Sequence, residues 1–458
     1  MKKGTICVGL DIGSTKVAAV AVESQGSTYG GQETVEIIGF SEVAVPSDAI
    51  VRGAVKNVKQ VGMAIRSALS ELTMRSDLEI GTVNVSFGGS HVQVASLSSS
   101  MVRPTSATSN EVTQEDVEHL IKDLYRAQTE PNNEVMHVIP GEFMVDSSRG
   151  VRVPVGRIGV RLGGDFLVVS TDKQVIDVTR KSLATADSSL EYDQLLLAPI
   201  AAGLAVLSED EIQAGIALVD IGDHTTDIVI YQGGIIRHIA SFPIAGHHIT
   251  ADLKAGCGIQ IENAELLKRE YGESLSAQTP LNIEILVNYL KGRPAKQVLK
   301  KNVALIIEER LKEIAALVYA EILDSGLSDE LIGGMVLTGG TANLPDIETL
   351  FSRVANDMPV RVGIPEHLAH TPKADEVSNT SYATALGLAW AGIKKVDKRL
   401  NSICPPPTHA TAHKTTHKEK EPEEPTEKVS DFFSNWNLKS RFFGSDRNDK
   451  EDKTGGGY

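Results

Sequence analysis

The sequence predicts an α/β protein of two similar lobes, with a small α+β subdomain inserted in the first lobe and a disordered tail that ends in an amphipathic helix. Three observations predict it. A hairpin built as strand, Asp, Gly, hydroxyl residue and strand occurs twice, at Cys7–Val22 (CVGLDIGSTKVAAVAV) and at Ile216–Tyr231 (IALVDIGDHTTDIVIY), about 200 residues apart. Many short strands with a single helix interrupt the first half. Near the end, a stretch almost without large apolar residues gives way to a cluster of aromatics.

Each hairpin sets β-branched strands around a tip of Gly and small hydroxyls. In the first, Asp11 ends the strand and Gly13, Ser14, Thr15 and Lys16 follow; in the second, Asp220 is followed by Gly222, Thr225 and Thr226. Such a tip offers backbone N–H groups and hydroxyls to an anion. An aspartate at the strand end can hold Mg²⁺ through water, as that ion is usually kept beside phosphates. One such motif is weak, and ordinary β-turns account for its residue types. Two copies in hairpins point to two half-domains facing one phosphate-binding cleft.

Composition limits the function classes. The 458 residues suffice for two or more domains, and 41% hydrophobic with 23% charged residues describes a globular body. A formal charge of −15 disfavours nucleic acid as a partner. Cys7, Cys257 and Cys404 have no paired spacing and read as reduced thiols of a cytoplasmic protein. Lys2-Lys3 precedes only a short apolar run, which is not a signal-peptide pattern, and no stretch reaches the ~20 apolar residues of a membrane span.

Residues 1–82 and 166–195 form the first lobe in this reading. After the hairpin, Val35–Val45 is a strand, and Val55–Leu72 carries apolar residues at helical spacing. Residues 83–165 form the inserted subdomain, with strands at Val83–Phe87, Val92–Leu97, Val135–Ile139, Glu142–Val145 and Val151–Val155. Its one helix, Val112–Tyr125, has Thr113 as N-cap and Asp116 at the third helical position. Phe166–Ser170 returns to the lobe as a strand, followed by a helix at Lys173–Ala186. The small-residue helix Leu195–Leu207 joins the halves. Residues 196–240 and 313–400 form the second lobe, and 241–312 its smaller subdomain. The long helix 303–325 exposes Glu308, Glu309, Arg310 and Lys312. That face is either solvated or a docking patch.

Residues 401–428, rich in Pro, Thr, Lys and Glu, read as a flexible linker. His409, His413 and His417 recur every fourth residue, but the prolines and threonines around them argue against a metal-binding helix. Residues 429–443 (VSDFFSNWNLKSRFF) read as an interfacial helix. At ~100° per residue, Val429, Phe432, Phe433, Trp436 and Phe443 fall within about 100° of one another, and basic residues flank them. Burying five apolar side chains contributes about 1.5–3 kcal/mol each. Ordering the segment costs about 1–2 kcal/mol per residue. One copy therefore anchors weakly and a polymer anchors well. A tail that packs on the body or on a partner protein is the alternative. Residues 444–458 are polar and acidic.

The paired hairpins resemble the phosphate loops of the actin/Hsp70/sugar-kinase superfamily. Met335–Leu344 (MVLTGGTANL) is similar to its adenosine loop, with Gly339, Gly340 and Thr341 beside the nucleotide. Ala264–Arg269 (AELLKR) is similar to its ribose-binding helix, with Glu265 and Lys268 one turn apart. Within the superfamily the chain resembles the FtsA family, actin-like proteins that tie the bacterial division ring to the membrane. The supporting stretches are Glu111–Val117 (EVTQEDV), His137–Pro140 (HVIP), Gly292-Arg293-Pro294, Ile307–Arg310 (IEER), Ser381–Leu388 (SYATALGL) and the aromatic tail. The resemblance spans roughly residues 5–400, and the inserted subdomain favours FtsA over its cousins.

The resemblance implies a two-lobed actin-like ATPase fold that binds ATP and Mg²⁺, with Asp11 and Asp220 on the metal and Asp220 the candidate catalytic group. It further implies self-polymerisation and docking of the FtsZ C-terminal peptide through Arg293, Lys300, Glu309 and Arg310. Other division proteins and the anionic inner face of the cytoplasmic membrane at the septum complete the expected partners. Two departures stand out. Ala198 replaces a Glu that Hsp70-type ATPases place near the attacking water, which implies slow or absent hydrolysis. Asp223-His224 replace two glycines of the usual D-I-G-G-G-T-T-D loop; the expectation is that both side chains point away from the ligand and the loop still closes, and the alternative is weakened nucleotide affinity through like-charge repulsion by Asp223. A superfamily small-molecule kinase and a pilus-assembly relative of FtsA are the alternative functions.

Overall fold

The structure is a computed structural model and describes residues 4–27, 33–103, 110–126, 132–288, 292–365, 368–369, 371–394 and 415–417. Two five-stranded sheets form its frame. In the first, the order is Glu191–Leu197, Thr82–Phe87, Ile6–Ile12, Lys16–Ser27, Glu33–Ala44. In the second it is Val360–Val362, Met335–Thr338, Ile216–Ile221, Thr226–Gln232, Ile235–Phe242. The plan is the same in both. A three-strand antiparallel meander begins each sheet, and two parallel strands extend it from the side of the first strand. The repeated hairpin of the sequence is thus one copy of a repeated sheet.

Alternation along the strands sorts the second sheet between two cores. Ile216, Leu218 and Val229 face the core shared with the first lobe. Ala217, Val219, Ile221, Ile228 and Ile230 face the helices Gly246–Cys257, Ile261–Tyr271 and Lys300–Asp324. Two apolar helices clasp the lobes. Ala198–Val206, which leaves the first sheet, packs on the second sheet; Ala383–Ile393, which follows the second, packs on the first. All eleven residues of Ala383–Ile393 are buried. A Cβ on Gly387 would lie 1.7 Å from the Ala201 carbonyl oxygen, and one on Gly9 2.0 Å from that of Ala385.

The inserted subdomain has its own core and an antiparallel sheet in the order Ser148–Val151, Asn133–Val145, Arg161–Asp172, Gln93–Val102. Its limits differ from the expected 83–165 at both ends. Thr82–Phe87 pairs in parallel with strands of the first lobe, and Phe166–Ser170 lies inside the inserted sheet. Pairing partners far away in sequence decide both cases. Pro140 and Gly141 do not end a strand: they sit at a register shift within Asn133–Val145, which a bulge bends without breaking. The strand expected at Val151–Val155 stops at Val151. The buried Arg103 guanidinium pins the adjoining loop, donating to Asp116 at 2.7 Å and to the carbonyls of Asn110 and Gly159.

Elsewhere the expected elements form with adjusted ends. The first helix runs Val58–Ser76, because Asn57 caps it by accepting from Gln60 N. Leu195–Leu197 is strand, so the joining helix begins at Ala198. The boundary set at 312/313 falls inside the single helix Lys300–Asp324. Thr416–His417, inside the expected linker, pairs with Leu78–Glu79. The rest of the linker, the membrane residues Phe432, Phe433, Trp436 and Phe443, and the end of the tail lie outside the described residues.

Substituting Gly387→Ala should destabilise the chain by about 1–3 kcal/mol in urea unfolding, although Ala is the better helix former by about 1 kcal/mol. An unchanged or raised midpoint would show that the two clasping helices do not touch.

Candidate functional site

The two hairpin tips meet across a cleft of about 550 Å³ between the lobes. They close with the same bond: Gly13 N donates to Lys16 O at 3.0 Å, and Gly222 N to Thr225 O at 2.9 Å. The carboxylates of Asp11 and Asp220 stand at the matching ends of matching strands, beyond which open α/β sheets place their ligands. Ser86 Oγ donates to Asp11 at 2.8 Å and accepts from Ile12 N. Asp220 receives no hydrogen bond from the described residues.

The cleft floor is electrostatically unbalanced. Burial, together with the neighbouring Asp227 and Asp11, pushes the Asp220 carboxyl up to about 8. Burial pushes Asp227 up to about 6, against hydrogen bonds from Ser241 and Thr225. Burial also raises Asp11, opposed by Ser86 and Lys16. Carboxylates forced together in a low dielectric take up protons or a cation. This donor set, all oxygen and short of positive charge, fits a divalent ion carried by a phosphate ligand.

Most of the residues singled out in the sequence line this cleft: Asp11, Gly13, Ser14, Thr15, Lys16, Asp220, Gly222, Thr225, Glu265, Lys268, Gly339, Gly340 and Thr341. Their present contacts differ in kind. Lys16 pairs with Glu42 at 2.7 Å and lies over the Tyr382 ring, so its ammonium is already engaged. Thr225 Oγ1 donates to Asp227 at 3.1 Å. Gly339 has φ +87°, and a Cβ there would lie 2.3 Å from Asp220 Oδ1, whereas one on Gly340 would meet open space. Thr341 Oγ1 donates to Gly222 O at 2.8 Å, tying the third loop to the second hairpin.

Three expectations need correction. Thr226 does not face the cleft: it is buried and its hydroxyl donates to Ile244 O at 2.7 Å. Lys268 is buried, and its three N–H donors go to Glu265, Thr250 and Gly246, leaving none for a ribose. Asp223 and His224 do not point away; both line the cleft, although the loop closes without positive φ at either. Burial pushes the Asp223 carboxyl up, but His224, Lys268 and His247 outweigh it and hold it below the usual range. Asp227, Ser86 and His91 also line the cleft and were missed. Asp227 was legible, because equal hairpin arms set it directly opposite Asp220.

The expected partner residues lie apart from the cleft. Arg310 is held by Asp252 at 2.6 Å and Glu313 at 2.5 Å, Lys300 by Glu273 at 2.5 Å, and the exposed Glu309 by Lys312 at 2.8 Å. Arg293 is exposed. On one helix, nine residues set Lys300 and Glu309 about 180° apart, so these side chains do not form a single patch. Among the described residues, no helix is long and apolar enough to cross a membrane.

Comparison with known proteins settles the family. The family description "Cell division protein FtsA" matches residues 217–387, and "SHS2 domain inserted in FTSA" matches residues 89–170. The chain is 32% identical to the cell division protein FtsA of Neisseria meningitidis serogroup B over 386 residues, covering 84% of this chain and 89% of that one. The chain belongs to the FtsA family. The FtsA proteins of Pseudomonas aeruginosa (32%, 86% of this chain and 91% of that one) and Escherichia coli K12 (30%, 84% and 90%) agree. Among solved structures, a chain titled "PilM-PilN type IV pilus biogenesis complex" matches with a TM-score of 0.59 at 17% identity, covering 84% of this chain and 98% of that one. That likeness speaks to fold alone, and the fold is the actin-like one with the FtsA-type insertion. Neither the kinase nor the pilus alternative names the family.

Asp220 keeps its proton in the folded chain up to a pH of about 8, whereas its ordinary value is 3.8. Between the two the unfolded state binds fewer protons, so stability falls as pH rises. In EDTA, Asp220→Asn should therefore raise the melting temperature more at pH 8 than at pH 5, by about 2–4 °C. An equal gain at both would mean that burial does not raise this carboxyl.

Proposed function

We propose that this FtsA-family chain is an ATP-binding adapter that polymerises on the inner face of the cytoplasmic membrane and tethers FtsZ to it during assembly of the septal ring. The observation that carries the reading is the pair of equivalent hairpins facing one another across a cleft that gathers the buried carboxyls of Asp11, Asp220 and Asp227. In this reading Asp11 and Asp220 hold Mg²⁺. Gly13–Thr15 and Gly222–Thr225 present amides and hydroxyls to the phosphates, and Gly339–Thr341 lies along the adenosine. Mg²⁺, when bound, supplies charge neutralisation for the phosphates. Glu265 is the ribose contact of its helix, since Lys268 is committed elsewhere.

Because the tips belong to different lobes, a ligand contacting both acts as a clamp, and it favours whichever lobe arrangement it binds better. Ala198 lines the cleft at the start of its helix and brings no group able to orient water. Turnover is therefore slow, and the nucleotide acts as a structural ligand more than a substrate. Membrane attachment falls to Phe432, Phe433, Trp436 and Phe443, with weak single anchors made effective by polymerisation. The FtsZ C-terminal peptide docks on the subdomain that carries Arg293, Lys300, Glu309 and Arg310, crossing more than one face of helix Lys300–Asp324 rather than filling a single patch. The Arg310–Asp252 and Lys300–Glu273 pairs are half-buried, so an acidic peptide would have to take the place of Asp252 or Glu273 to reach either cation.

Liposome flotation of the full chain, and of a chain cut after Lys428, tests the coupling. Flotation should increase with Mg²⁺ and ATP, vanish on truncation, and lose its ATP dependence in Asp11→Asn. Flotation independent of the tail, or none under any condition, would overturn the adapter.

A further inference from the structure

Three side chains with no part in the nucleotide reading come together at the edge of the cleft. Asp223 and His224 sit on the tip of the second hairpin, and His247 on the first turn of helix Gly246–Cys257. One ligand atom from each lies within 4.8 Å of the other two. The two elements are fixed together, because His247 N donates to Asp223 O at 2.6 Å and Gly246 N to Gly222 O at 3.1 Å. The imidazoles of His224 and His247 stack with centroids 4.7 Å apart.

His224 supplies the decisive detail. Its Nδ1 is buried and makes no hydrogen bond, yet it lies 3.0 Å from Asp223 Oδ2. A buried ring nitrogen and a carboxylate oxygen this close, with a second imidazole beside them, form a donor set that a cation can bridge. The nearest lysine does not fill that role, since Lys268 spends its three donors on Glu265, Thr250 and Gly246.

We propose that Asp223, His224 and His247 form a binding site for a first-row transition-metal dication, Zn²⁺ foremost, separate from the Asp11 and Asp220 carboxylates. Two imidazoles and one carboxylate are the donors such ions take, whereas Mg²⁺ prefers oxygen throughout. Ligands at about 2.0–2.2 Å from Zn²⁺ stand roughly 3.3 Å apart, so binding draws the three donors together and turns the stacked imidazoles until their in-plane lone pairs converge. Three protein ligands leave a position open. Asp223 and His224 line the cleft, so that position is available to an anionic oxygen such as a phosphate's. The site does not depend on the ATP reading and is tested without nucleotide.

The full chain is titrated calorimetrically with Zn²⁺, and with Co²⁺ followed by visible absorption, both in excess Mg²⁺. One tight equivalent is expected, with Co²⁺ bands of low-coordinate intensity. His247→Ala, and separately His224→Gly, should weaken it by about tenfold or more. A triple His409→Ala, His413→Ala, His417→Ala variant should bind as the wild type does. His224→Gly restores the residue of the usual family loop, so it tests the site even if His247→Ala does not fold. No tight equivalent in the wild type, binding unchanged in His224→Gly, or binding lost only in the triple variant would overturn the proposal.

Discussion

The separation of the two lobes is set by a backbone contact between helices. Gly387 leaves no room for a Cβ against Ala201, so helices Ala198–Val206 and Ala383–Ile393 meet there backbone to backbone. Each helix follows one sheet and packs on the other, which ties the two halves reciprocally. The matching strand ends then face one another at short range, and Asp11 and Asp220 with them. Close packing therefore creates the electrostatic problem on the cleft floor. Carboxylates that would ionise freely in water are brought together and desolvated, and the hydrogen bonds that Asp11 and Asp227 receive only partly offset this. A ligand that brings a divalent cation relieves that cost, and it does so only by touching both lobes.

Local pattern was legible in the sequence and long-range pairing was not. Both hairpins could be read because their register depends on residues within a few positions of the tip. Even there, strand alternation held more information than was used. Side chains two apart share a face, so Thr225 and Asp227 belong with Asp220 while Thr226 points to the other side. That rule alone would have removed Thr226 from the phosphate site and added Asp227. The limits of the inserted subdomain could not be found in this way. Val83–Phe87 and Phe166–Ser170 are both apolar strands, and only their distant partners assign one to the lobe and the other to the insertion.

Charged surfaces show the same division. The sequence shows that Arg310 and Lys300 are cationic, but not that Asp252, Glu313 and Glu273 already hold them. Lys268 is the stronger case. One turn from Glu265 it looks like a ribose ligand, yet burial makes each of its N–H groups costly to leave unpaired. The fold supplies Glu265, Thr250 and the Gly246 carbonyl for that purpose. Its contacts lock the start of helix Gly246–Cys257 against Ile261–Tyr271, which positions this part of the cleft wall.

Replacing loop glycines with Asp223 and His224 is usually a question of backbone freedom, but here the backbone is not the issue. Neither residue needs positive φ, and the Gly222–Thr225 bond closes the turn. What changes is charge. An ionised Asp223 in the cleft wall stands where polyanionic phosphates are expected, and two unit charges 4 Å apart repel by about 4 kcal/mol at an effective dielectric constant of 20. A bound dication reverses the sign and turns the loop from a repulsive wall into an attractive one. The two histidines therefore make physical sense as companions of the aspartate rather than as independent substitutions. A loop without glycine at these positions can still receive phosphate, provided that the charge it introduced is neutralised by a cation it also holds.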